Sequence, residues 1–246
     1  GPMCRTADDC GLVLEAIAGP DGYDPSALPG SFRYQPEQEP DHGFRIGILH
    51  ESLETAQPAV QANFEAALGV LDEFARLEPV SLPDFPYNEM TRLILSAEAA
   101  SAFDEMLEAG IFMGLTAPED RTGGYAGFAI PAVDYLRAMR LRRQARVALQ
   151  ALLGRYDAVV HPATAVVASP LSMRFDEYAG QGRRLPLGSA GNLAGLPAIS
   201  VPNGFGERGL PTGLQFVGAA GSENRLLAVA RAYQQRTDWH FRRPPL

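Results

Sequence analysis

A serine hydroxyl becomes a nucleophile only beside a base, and this sequence is short of bases. Its 21 Lys-plus-Arg positions are all arginine, and a guanidinium stays protonated at any working pH, so none can accept a proton. The four histidines, His42, His50, His161 and His240, are scattered, with neither an H-E-x-x-H pair nor a zinc-ligand spacing. His161, between Val160 and Pro162, reads as a satisfied polar residue at a strand end. Cys4 and Cys10 offer neither a disulfide framework nor a metal-ligand spacing. Ser189 lies in Leu187-Gly188-Ser189-Ala190-Gly191, which has leucine where a nucleophile elbow needs its first glycine. Ser200 sits within an apolar strand pattern and reads as a small packing residue. No catalytic residue, metal site or cofactor is signalled. The polar segment at residues 188–192 is the best candidate for contact with a substrate. It also reads as a structural turn, with Asn192 bonding neighbouring backbone and Gly195 at positive φ.

The elements that would hold these residues alternate between strand and helix. Thr6 with Asp9 makes a capping box, followed by the apolar stripe Cys10, Val13, Leu14 and Ile17. Residues 44–49 (FRIGIL) read as a strand. Pro58 suits a first helical turn, with Val60, Phe64, Leu68, Leu71 and Ala75 at helical spacing before a short strand expected near residues 79–82. That β-α-β pattern predicts two parallel strands. A mostly helical excursion is expected at about residues 87–155, with a Gly-rich break at 121–127. Its basic helix, residues 134–153, has the buried stripe Ala138, Leu141, Ala145, Ala148, Leu149 and Leu152, which leaves most of its arginines solvated. Strands are expected again from Ala158, at 198–202 and at 212–218, the last two as buried central strands. Ser222 is placed to cap a final helix. The alternation predicts one α/β domain over residues 1–246.

Composition excludes several classes. A chain of 246 residues, 46% apolar and 20% charged, can bury a substantial core. Its 25 glycines and 20 prolines fall below the roughly 25–30% that marks low-complexity sequence. A net charge of −8 argues against sequence-independent nucleic-acid binding. No apolar run has the length of a membrane span, and a reducing cytoplasm is the expected location.

Three stretches carry a family resemblance. Residues 192–218 (NLAGLPAISVPNGFGERGLPTGLQFVG) resemble the C-terminal part of the amidase signature hydrolases. Residues 1–25 resemble the segment following that family's catalytic loops, with Gly1-Pro2-Met3 fitting as native sequence or reading as a protease-cleavage scar before an initiator methionine, and residues 156–164 (YDAVVHPAT) resemble a strand and proline turn between them. The resemblance implies a three-layer α/β/α sandwich with a large mixed sheet, completed by strands lying before Gly1. It implies that a base lysine, a bridging serine and a nucleophilic serine also belong before Gly1, so that this chain is expected to be inactive by itself. It further implies that Gly188, Ser189 and Asn192 form part of an acyl-pocket wall. Residues 183–187 (RRLPL) contain no acid of the kind that glutamine-using members carry there, which points to a general amide hydrolase. Three expectations stay open: a portion of an amidase acting on a small carboxylic amide, a non-catalytic subunit pairing with a complementary N-terminal half or with itself, or a pseudoenzyme binding a small amide or acid.

Overall fold

The computed structural model describes the chain apart from residues 26, 36, 119, 175–176, 179–184 and 245–246. Its contacts form two compact units, one of Gly1–Leu82, Gln150–Gly188 and Leu196–Leu246, the other of Pro83–Leu149 and Ser189–Gly195.

The first unit begins with α1 (Ala7–Ile17), whose cap is the expected one: Thr6 Oγ1 accepts from the Asp9 amide at 3.1 Å. Next come β1 (Phe44–Leu49), α2 (Pro58–Leu71) and β2 (Ala75–Val80). Ala75 therefore belongs to the strand, which starts earlier than its apolar pattern predicts. The Phe74 amide bonds back to Leu71 O, and the turn sets Phe74 edge-on to Phe44, with ring centroids 6.1 Å apart. β1 and β2 pair in parallel, in register from Phe44↔Ala75 to Leu49↔Val80.

Three further strands, β3 (Ala158–Pro162), β4 (Ala198–Phe205) and β5 (Pro211–Val217), complete a mixed sheet ordered β2-β1-β3-β5-β4. β3 is parallel to β1 and antiparallel to β5, and β4 is antiparallel to β5. β5 is central, as expected. β4 is not: it lies at the edge, with Ala198 and Ser200 exposed and no strand beyond it among the described residues. Its short apolar run looks central because position in the sheet depends on pairing between distant segments, which a strand's own pattern does not encode. The final helix of this unit, Glu223–Arg236, is preceded by Ser222, but Ser222 Oγ donates to Ala219 O at 2.7 Å and does not cap the helix.

Strand alternation separates two cores. Ile46, Ile48, Val160, Leu214 and Phe216 meet Val60, Phe64 and Leu71 of α2, together with Leu226, Val229 and Tyr233 of the final helix. On the opposite face Leu49, Val159 and Val217 pack with Leu153 and Leu187. Helix, sheet and helix make the three layers. Each large side chain sealed this way contributes roughly 1.5–3 kcal/mol. Arg45 ties the strands at one end: its Nε and Nη2 reach the two Glu78 oxygens at 3.1 and 2.8 Å, and its amide donates to Asp157 Oδ2 at 2.7 Å.

The second unit is helical. It contains α3 (Tyr87–Ala102), α4 (Asp104–Glu108), α5 (Asp120–Gly123) and most of α6 (Ala132–Leu153). The Gly-rich stretch expected as a break is itself helical, running from α5 into a 3-10 turn at Gly124–Ala129. Gly127 is needed there, because a Cβ would lie 2.4 Å from Ser96 O on α3. On α6, Ala138, Ala145 and Leu149 are buried while Arg137, Arg140, Arg143 and Arg146 are exposed.

Gln57 is a buried polar residue that orders the loop after β3. Its backbone amide donates to Ala165 O at 2.8 Å, its Oε1 accepts from Val167 N at 3.0 Å, and its Nε2 donates to Tyr178 Oη at 3.0 Å. Gln57→Leu strands the Val167 amide, and a drop in unfolding free energy of about 1–3 kcal/mol is expected in urea titrations.

Candidate functional site

Residues 188–192, expected as a flexible loop, lie within α7 (Pro186–Ala194). Proline opens this helix. Leu187, Ala190, Leu193 and Ala194 are buried, a helical stripe too short to stand out among glycines. Gly188, Ser189 and Asn192 share the other, less buried face, at spacings of one and three residues. Gly195 then ends the helix at φ +69°, the positive angle expected for it, and its amide bonds to Asn192 O.

The polar partners of this helix come from α3 and α6. Ser189 Oγ donates to Asn88 Oδ1 at 2.6 Å, and Thr91 Oγ1 donates to Ser189 O at 3.4 Å. Arg142 Nε donates to Leu193 O at 2.7 Å, placing a cation at the helix C-terminus where the macrodipole favours it. The sequence does not mark Asn88, Thr91 or Arg142 for these roles. Arg142 reads there as one more solvated arginine, because no local signal separates it from its neighbours on α6.

This arrangement positions groups but does not activate a nucleophile. Ser189 is bonded to an amide oxygen, which cannot take its proton. Ser200 is exposed on β4, so its expected packing role is not what the edge strand provides. His161 is fully buried, with Nε2 3.2 Å from Glu51 O and Nδ1 3.2 Å from Pro162 O. A neutral imidazole has one N–H, so only one of these contacts can be a hydrogen bond. Burial lowers the His161 pKa, outweighing the two carbonyls that raise it, and the nearby His50 acts in the same direction as burial. Cys10 has its thiol pKa raised, first by burial, and it interacts with Cys4. Among the described residues no group of three or more His, Cys, Asp or Glu is arranged to hold a metal ion. Arg183 and Arg184, in the segment without an acid, lie outside the described residues.

A mixed sheet clothed by helices on both faces defines an α/β sandwich, and its candidate site supplies a polar helix face without a base. The chain matches the family model described as Amidase over residues 1–227, and it belongs to this amidase signature family. It is 34% identical to a glutamyl-tRNA(Gln) amidotransferase subunit of Roseiflexus sp. (strain RS-1), over 100% of this chain and 56% of that protein. The native peptide amidase of Stenotrophomonas maltophilia is 32% identical with a TM-score of 0.72, covering 100% of this chain and 54% of that one. A structure described as an unexpected vestigial protein complex, revealing the evolutionary origins of an s-triazine catabolic enzyme, is 26% identical. It has a TM-score of 0.80 and covers 96% of this chain and 52% of its own. The chain thus spans about half the length of the curated relatives it matches.

The state of His161 has a measurable consequence. Its folded pKa lies below the ordinary 6.5, so as pH falls through and below that value the unfolded chain takes up a proton that the folded chain does not. The His161 contribution to stability is complete above pH 6.5 and is lost progressively below it. Urea midpoints measured from pH 7.5 to 5 should fall, and His161→Gln should flatten that fall.

Proposed function

We propose that these 246 residues act as the C-terminal portion of an amidase that cleaves a small carboxylic amide through a serine acyl-enzyme. The nucleophile and its lysine base would come from a complementary N-terminal portion. The observation that carries this reading is the match to half the length of family members by a chain in which every basic residue of the Lys/Arg pair is arginine. In the complete site the serine oxygen attacks the amide carbon, the amine leaves carrying the proton relayed by the lysine, and water releases the acid. The face of α7 bearing Gly188, Ser189 and Asn192 would form part of the acyl-pocket wall.

The first unit offers a surface for the complementary portion. Among the described residues no strand pairs with the outer edge of β4, and Leu12, Val13 and Ile17 of α1 are 59%, 40% and 62% exposed. A groove of about 360 Å³ runs between them, lined by Met3, Leu14, Ile199 and Leu226 among others. Free edges and apolar faces of this kind are stabilised by a partner. A second reading, a subunit or pseudoenzyme that binds a partner or a small amide or acid, is favoured by the likeness to the vestigial complex. The 34% identity to part of a glutamyl-tRNA(Gln) amidotransferase keeps glutamine among the substrates to be assayed.

The test is to assay the 246-residue chain on small amides alone and after mixing with a separately expressed N-terminal portion. Activity is expected only in the mixture. A serine-directed burst from the chain alone would overturn the reading, and stable binding without turnover in the mixture would favour the second one. Gly188→Ala addresses the pocket wall. A Cβ there meets nothing within 4 Å, so the variant should gain about 0.5–1 kcal/mol of stability from helix propensity. In the active mixture it should shift KM for bulky acyl groups, and an unchanged KM would remove Gly188 from the wall.

A further inference from the structure

The first unit holds a cavity that the amidase reading leaves unused. It encloses about 220 Å³ and is lined by Arg5, Phe205, Pro211, Trp239, His240 and Arg242 among others, with no acid among the described lining residues. Trp239 and Phe205 meet edge to face, with centroids 6.0 Å apart, and give it an aromatic wall. The Arg242 guanidinium lies 4.2 Å from the Trp239 ring centroid, and its Nε pairs with Asp238 Oδ1 at 2.8 Å. Among the described residues Asp238 is the carboxylate paired with Arg242, and no carboxylate there pairs with Arg5. His240 Nδ1 is buried without a protein hydrogen-bond partner.

Two arginines lining a cavity with an aromatic and proline wall are complementary to one kind of ligand. We propose that this cavity binds a small carboxylate carried on an aromatic or apolar body. The planar fork of an arginine matches a carboxylate with two parallel N–H bonds. The apolar body fills the space against Trp239, Phe205 and Pro211, so that a few polar groups orient a mostly apolar ligand. Inorganic phosphate offers the charge without the body, and benzamide offers the body without the charge.

Trp239 is the single tryptophan of the chain, so its fluorescence reports from the cavity wall. Titration with benzoate should give a saturable change, with no saturable response to benzamide and a weaker one to phosphate. Arg5→Gln combined with Arg242→Gln should weaken benzoate by about tenfold or more through loss of the charge-assisted bonds, whereas Arg146→Gln on α6 should not. Equal binding of benzamide, equal binding of phosphate, or unchanged affinity in the double variant would each overturn the proposal. Arg5→Gln alone, at an exposed side chain, keeps the test decisive if the double variant does not fold. Repeating the titration by fluorine NMR on 5-fluorotryptophan-labelled chain, mixed with an unlabelled N-terminal portion, reads Trp239 in the assembled protein. Absence of a benzoate response there would also overturn it.

Discussion

β3 has to be dry on both sides, and the architecture of the first unit follows from that. All five of its residues are buried. It pairs with β1 in one direction and β5 in the other, so both of its hydrogen-bonding edges are used. A strand in this position must have both faces covered, which requires a helical layer on each side. Val160 faces the core formed with α2 and the final helix, and Val159 faces the core containing Leu153 and Leu187. His161 shares that burial. Its two nitrogens meet main-chain carbonyls, which suits a structural imidazole and leaves it no access to a reacting group.

Burial at the centre has its counterpart in exposure at the edge. β4 contributes Ile199 and Val201 to the core, yet presents Ala198 and Ser200 to the surface. The outward side of α1 is apolar where a solvent-facing helix would be polar. Both features belong to the same unit.

Much of this was legible in the residues. The Thr6 cap, the strand at Phe44–Leu49, the parallel β1-α2-β2 unit and the long helix each follow from spacing within a dozen or so residues, where propensity and periodicity operate, although Leu141 of the expected buried stripe is exposed. Elsewhere the local pattern pointed the wrong way. Ala75 continues the helical spacing but is strand, because the Phe74 turn and pairing with β1 override it. Residues 188–192 look like a loop because two glycines and a serine depress helix propensity. Burial of Leu187, Ala190 and Leu193, and the bond from Arg142, outweigh that cost.

The sequence by itself determined the α/β class through short-range periodicity, the lack of any lysine base through its composition, and the family through the resemblance of three stretches to known members. Only the tertiary structure decided that β4 is an edge strand, that Ser189 rests on Asn88, and that Arg5 shares a cavity with Trp239 and Arg242. Each of those facts joins segments far apart in the chain. Contacts between distant segments are set by packing within each unit, and no single segment carries that information in its own pattern.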